Sequence, residues 1–329
     1  MATVLVCGAI NWDTTCLVEH LPFPGEEVTC DSVSEVPGGT AANVAVAAAR
    51  ILGPGEVALF AALGRDDIAD MQLAILDAEG VEHGPVARIQ GQSSGHAYIF
   101  VDHTGQNVIA SNLGANSALS TSHTRMGRLN TLLQDCHCVA LTDPPLPVAS
   151  YLLRAAASRD LPALWDPGAL ARHGWDVLAP LTRQVDSLFV NETEANWLFG
   201  TADPTHIVRS LDNRGAPSHL VLKMGARGSL LIDVDSGRTT EIPPLPIVAL
   251  GLEVVSAVGC GDVFLGAYAA YLSRGWERGD ALLVASAAAG LNAARPETRG
   301  GPTEALLNNT IERALPLGFP SRDAEGNVR

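Results

Sequence analysis

Short apolar runs closed by glycine or a polar residue recur along the chain and set its rhythm. Val4–Cys7, ended by Gly8, is apolar throughout, as a buried strand requires. Residues 14–36 instead alternate β-branched and polar positions around a Pro22-Phe23-Pro24-Gly25 turn, which predicts half-exposed strands joined by a loop. Residues 38–52 are rich in Ala and Gly and predict a helix with a closely packed face. Val57–Gly64 reads as another buried strand, and residues 66–80 as an amphipathic helix closed by Gly80. Alternation returns across residues 94–119, with His103-Thr104-Gly105-Gln106 as a hairpin turn.

From about residue 125 strands and helices alternate. Apolar runs at 138–143, 162–168, 187–192 and 219–225 end in polar residues or glycine, with helical stretches such as 147–159 and 192–200 between them. That order predicts an α/β fold: a mainly parallel central sheet with helices on both faces and its chemistry at the C-terminal strand ends. Segments 14–36 and 93–113 do not share the rhythm and read as one small β-sheet inserted like a lid. The main α/β domain is then 1–13, 37–92 and 114–329. The polar tail 321–329 is expected to fray.

The chain has 329 residues, 47% of them hydrophobic, enough for a large core. A formal charge of −15 argues against nucleic acid or an anionic membrane as partner. Lys223 is the only lysine. Six cysteines without paired spacing read as reduced thiols, so a cytoplasmic location is expected. Cys136-His137-Cys138 lacks the second Cys/His pair a zinc site needs. The N-terminus has no basic, signal-like start, and no apolar run reaches membrane-spanning length. A P-loop, H-E-x-x-H and G-x-S-x-G are all absent.

Candidate chemistry concentrates in "EVVSAVGCGDVFLGAYAAYL", residues 253–272. Gly259, Cys260 and Gly261 precede an apolar helix, where free N–H groups and the helix dipole suit an anion such as a transferring phosphoryl group. Asp262 beside them has two readings from this stretch alone, a proton acceptor for an attacking hydroxyl or the helix N-cap.

"VSAVGCGDVFLGA" resembles the D-T-x-G-A-G-D-x-F-x-x-G signature of the ribokinase-like (PfkB-type) carbohydrate and nucleoside kinases. "PGGTAANVAVAAARILG" at 37–53 resembles that family's glycine-rich signature, and Asn191–Glu194 its N-x-x-E motif. Further similarities, at 8–13, 22–26, 107–119 and 221–231, follow in family order from residue 4 to about 302. The pattern is nearest that of ribokinase. The resemblance implies a ribokinase-like Rossmann-type sandwich with a β-sheet lid that covers the acceptor and often pairs with a second subunit, hence a homodimer.

The resemblance also implies an ATP-dependent kinase that phosphorylates a primary hydroxyl of a small sugar, with a nucleoside as the alternative acceptor. A sugar-phosphate kinase or a non-catalytic sensor are more distant readings. Asp262 is then the base and Gly259, Cys260 and Gly261 the anion hole. Asn11, Asp13, Gly39, Thr40, Asn43 and Asp143 face the acceptor. Asn191 and Glu194 organise water around Mg²⁺, while Lys223, Gly225 and Gly228 serve the nucleotide and Asp166 faces the same site. Ser256 replaces the signature's first Asp, which leaves a K⁺ requirement open. Thr40 and Ala41 replace the Lys and Gly of typical ribokinases, and Asp143 stands where those carry a sugar-contacting glutamate.

Overall fold

The computed structural model describes residues 2–123, 127–211 and 215–320. The tail expected to fray lies outside the described residues. In chain order the strands are β1 (Val4–Cys7), β2 (Asn11–Val18), β3 (Cys30–Gly38), β4 (Val57–Phe60), β5 (Ala62–Leu63), β6 (Ala87–Arg88), β7 (Gly95–Asp102), β8 (Asn107–Asn112), β9 (Cys138–Leu141), β10 (Ala163–Trp165), β11 (Ser187–Asn191), β12 (His219–Lys223), β13 (Ser229–Asp233) and β14 (Thr239–Ile242). The helices are α1 (Thr40–Leu52), α2 (Asp67–Ala78), α3 (Ala115–Ala118), α4 (Gly127–Asp135), α5 (Leu146–Ala157), α6 (Trp175–Thr182), α7 (Glu192–Phe199), α8 (Pro204–Leu211), α9 (Cys260–Ser273), α10 (Arg278–Ala293) and α11 (Glu304–Ala314).

Eight strands form the main sheet in the order β14-β13-β12-β11-β10-β9-β1-β4, parallel from β12 to β4 and antiparallel at β13 and β14. Side chains of successive residues leave opposite faces of a strand. Val4 and Val6 therefore join a core with α1, α9 and α10, while Leu5 and Cys7 join a second core with α5, α6 and α7. Both faces being covered explains why β1 and β9 are apolar at every position.

A second sheet, β3-β2-β7-β8, pairs β2 with β7 in parallel and closes each flank antiparallel. The turn between β7 and β8 is residues 103–106, as the alternation predicts. β2 starts at Asn11 and β3 ends at Gly38, so Asn11 and Asp13 sit on the inner end of this sheet rather than in the loop before it.

The alanine-rich face of α1 packs on α9. A Cβ on Gly266 would lie 2.5 Å from the Val44 carbonyl oxygen, so only a glycine permits this approach. The close packing carries a polar consequence. It brings the first turn of α1, with Asn43, against the first turn of α9, with Asp262.

Candidate active site

The helix α9 begins at Cys260, and its N-cap is Gly259 in the left-handed region (φ 75°) with no side-chain cap. Asp262 is therefore in the first turn, and of the two readings left open by the sequence the N-cap is excluded. Its carboxylate instead accepts a hydrogen bond from Asn43 Nδ2 at 2.8 Å. Burial pushes the Asp262 pKa up to about 7; Asp166 and Asp143 push the same way, while Asn43 and the Lys223 ammonium oppose. Among the described residues no acceptor faces the N–H of Gly259 or Gly261, whereas the Cys260 N–H makes a 3.3 Å bond to Ala257 O. Two of the three expected amides are thus open to an anion. The third is shared with its own turn.

Asn11, Asp13, Gly39, Thr40, Asn43 and Asp143 come together where β2, β3 and α1 meet the C-terminal ends of β1 and β9. The buried Asn116 holds Asn11, donating from Nδ2 to Asn11 Oδ1 (2.8 Å) and Ile10 O (3.1 Å) while its own Oδ1 takes the Ile10 N–H. Asp13 accepts no hydrogen bond from the described residues. Burial raises its pKa, and Arg299 and then His96 pull it back. A half-buried carboxylate with both oxygens open suits a pair of ligand hydroxyls. Asp143 differs: its Oδ1 takes Thr40 Oγ1 (2.8 Å), Thr142 Oγ1 (3.0 Å) and the Ala9 N–H (3.1 Å). Three donors on one oxygen lock that carboxylate and leave Oδ2 for a ligand. Thr40 acts here as a clamp on Asp143.

Gly39 caps α1 at φ 96°, and a Cβ there would lie 2.5 Å from Asn11 N. Gly39→Ala is expected to destabilise the fold by about 1–3 kcal/mol through backbone strain alone, read as a fall in melting temperature. An unchanged melting temperature would show that the backbone relaxes without cost.

On the other side of Asp262 lies a mainly apolar groove of about 430 Å³. It runs from Gly225, Ala226 and Gly228 past Leu245, Ile247 and Val254 to Phe264 and Ala289, and ends on Cys260, Gly261, Asn191 and Lys223. Lys223 ion-pairs with Asp166, both side chains being largely buried. Burial works against the ammonium, but Asp166 and Glu194 outweigh it and hold its pKa above the ordinary lysine range. The lysine approaches the α9 entrance: its Nζ is 3.5 Å from where a Cβ on Gly261 would sit.

Asn191 and Glu194 form a reciprocal capping box on α7, with Asn191 Oδ1 accepting from Glu194 N (2.9 Å) and Glu194 Oε2 from Asn191 N (2.8 Å). Their local job is to start the helix. Asn191 Nδ2 and Glu194 Oε1 remain free of it. Burial and then Asp166 raise the Glu194 pKa, against Lys223. No group of three His, Cys, Asp or Glu side chains among the described residues is arranged to ligate a metal directly. The hard carboxylate donors near Glu194 suit Mg²⁺ held through water. Cys136 and Cys138 are buried, with burial raising the first to about 11 and the second higher still, and His137 bonds Ser273 O. The two cysteines belong to the core, and His137 lies exposed between them.

Three site residues escape sequence reasoning: Arg299, Gln72 and Asn116. Arg299 follows "ARPET" in a loop without periodicity, and Gln72 is the buried polar position of an otherwise amphipathic helix. Asn116 falls inside the matched segment 107–119, which was its one signal.

A mainly parallel, doubly covered sheet, a second sheet over its strand ends and an enclosed aspartate at a glycine-rich helix entrance define a ribokinase-like phosphotransferase with a hydroxyl acceptor. The pfkB family carbohydrate kinase pattern matches residues 1–305, and the chain belongs to that family. It is 29% identical to a bifunctional ribokinase/ribose-5-phosphate isomerase A of Fructilactobacillus sanfranciscensis, over 83% of this chain but about half (49%) of that protein. It is 26% identical to a Schizosaccharomyces pombe ribokinase, over 87% of this chain and 90% of the relative. Among solved structures, Arabidopsis thaliana ribokinase complexed with ribose and ATP superposes with a TM-score of 0.84 at 24% identity, covering 94% of this chain and 99% of that one. No helix among the described residues is long and apolar enough to cross a membrane.

Proposed function

We propose that the protein transfers the γ-phosphoryl group of MgATP to the primary hydroxyl of a small, ribose-like sugar. The observation that carries this reading is Asp262, held by Asn43 beside the open amides of the α9 N-terminus, between a carboxylate-lined pocket and an apolar groove. Asp262 takes the proton of the attacking hydroxyl. The Gly259 and Gly261 N–H groups, with the Cys260 amide at the same helix end, stabilise charge on the group in transfer. Asp13, Asn11 and Asp143 Oδ2 orient the acceptor, and Asn43 aligns the base. The Gly225–Gly228 groove takes the nucleotide base, and Lys223 faces its phosphates. Glu194 and Asn191 would hold Mg²⁺ through water, where the ion screens phosphate charge when bound.

The second sheet acts as the lid, excluding water from the transfer. Its exposed apolar side chains, Leu17, Val33, Tyr98, Val108 and Ile109, support a homodimer formed through the lids. Sedimentation should give twice the chain mass.

The first test is ADP release from MgATP across ribose, deoxyribose, fructose, ribose 1-phosphate, adenosine, cytidine and inosine. Response to a sugar supports the reading, and response to a nucleoside alone moves the acceptor to the alternative class. Silence across the panel refutes both. A pH profile adds a second check. The base works only when ionised, so kcat should rise with pH through about 7 and level off above it. A kcat already flat from pH 5 would remove Asp262 from that role.

A further inference from the structure

Arg299 is buried at 8% exposure, and its guanidinium bonds three elements, α1, β3 and α2. Nε donates to Asn43 Oδ1 at 2.8 Å, and Nη2 donates to Gly38 O at 2.6 Å and to Gln72 Oε1 at 3.3 Å. Gln72 in turn donates from Nε2 to Asn11 O. Gly38 and Asn11 are the inner ends of β3 and β2, the two points where the second sheet leaves the main domain. Asn43, oriented by Nε, gives its own Nδ2 to Asp262. One planar fork therefore spans both roots of the lid and the residue that holds the base. The loop bearing it is itself pinned, because Arg50 donates to the carbonyls of Arg299 and Gly301 at 2.7 and 2.8 Å.

We propose that Arg299 is a positioning residue that couples the seating of the lid to the alignment of Asp262 through Asn43. Chemically the coupling is direct. An amide side chain can rotate to exchange its oxygen and nitrogen, and a cation on Oδ1 fixes Nδ2 toward the carboxylate. If the roots of β2 and β3 move, the fork loses Gly38 and Gln72 and ceases to hold Asn43 in that sense. The base is then aligned only with the lid in place, which limits turnover in the absence of a bound acceptor. A lysine cannot reproduce the arrangement, since it lacks the fixed fork that reaches two acceptors at once.

This inference rests on the proposed role of Asp262, and the experiment separates the two. With MgATP and ribose, or the panel acceptor that turns over fastest, kcat and acceptor KM are measured against pH. The proteins are the wild type, Arg299→Met, Arg299→Lys, Asn43→Ala and the Arg299→Met/Asn43→Ala pair. Arg299→Met should lower kcat about 10- to 100-fold, the loss expected for a charged hydrogen bond, with ATP KM within about twofold. Arg299→Lys should recover less than half of that loss on a logarithmic scale, because charge without the fork does not orient Asn43.

The acid limb of kcat should also move to higher pH in both Arg299 variants, since a mis-set Asn43 no longer favours the ionised carboxylate. Lys223, Asp166 and Asp143 are untouched, but the Arg299 charge also reaches Asp262, so the limb of Arg299→Met moves in part through lost charge, and the limb of Arg299→Lys, which keeps the charge, reports the Arg299–Asn43 link. Because Arg299 acts through Asn43, the double variant should be no slower than Asn43→Ala alone. An unmoved limb in Arg299→Lys, or losses that multiply in the pair, overturns the inference. A wild type with no acid limb, together with an active Asp262→Asn, overturns the underlying assignment instead. Should Arg299→Met fail to fold, Gln72→Met removes one branch of the fork and must lower kcat and raise the limb in the same sense; unchanged values there also overturn the inference.

Discussion

Asp262→Asn is expected to bind MgATP and acceptor within about threefold of the wild type and to turn over about 10³-fold more slowly or worse. The substitution keeps size and shape, and Asn43 Nδ2 still finds an oxygen to bond. What it removes is the only function an amide cannot supply, acceptance of a proton from the attacking hydroxyl. Calorimetric binding and single-turnover ADP formation measure the two halves separately, and turnover within tenfold of the wild type would sink the base assignment. Stability gives an independent sign. The folded pKa, raised by burial to about 7, exceeds the unfolded carboxylate value of 3.8. The folded state therefore favours the protonated form, and the wild type loses stability as pH climbs from 3.8 through about 7. The variant carries no such loss, so at pH 8 it should melt no lower than the wild type.

Lys223→Met is expected to produce the largest loss of stability. Lys223 and Asp166 are buried together, their side chains 16% and 13% exposed, with Glu194 close enough to feel both. Removing the ammonium leaves buried carboxylates facing each other, a disruption that costs about 3–5 kcal/mol when one partner of a buried pair is lost. ATP affinity should fall as well, because the same ammonium reaches the α9 entrance. Chemical denaturation measures the first effect and nucleotide titration the second. Pairing the change with Asp166→Leu should restore most of the stability, since an apolar pair of similar volume replaces a buried ion pair at little cost, but should leave ATP binding weak. A single variant as stable as the wild type would mean that Asp166 is solvated. Recovery of ATP affinity in the pair would mean that Lys223 serves only its ion pair.

The apolar runs at 4–7, 138–141 and 188–190 located main-sheet strands, because a strand covered on both faces has few polar positions to blur it. Local motifs located the glycine turn before α9 and the Asn191–Glu194 pair. The capping box at that pair has a spacing readable from four residues, yet its electrostatic partners, Asp166 and Lys223, are 28 and more residues away in the chain. The choice between N-cap and base at Asp262 was open in the sequence. The N-cap is excluded by φ at Gly259 and by a hydrogen bond from Asn43, 219 residues earlier. Arg299 carried no signal at all, since its meaning lies in reaching Gly38, Asn43 and Gln72 from a loop more than 220 residues distant.

Local periodicities carried the α/β order, the second sheet's alternating strands, the small-residue face of α1 and the glycines at the α9 entrance. These are properties of neighbours one to four positions apart, where local geometry and burial act. Which polar groups meet is a matter of packing: Asn43 on Asp262, Thr40 on Asp143, Lys223 on Asp166, Arg299 on the inner end of the second sheet. Such pairs cost desolvation wherever they form, so their placement is dictated by the packing of α1 on α9 and of the sheet ends around them, and no local pattern of residues encodes it.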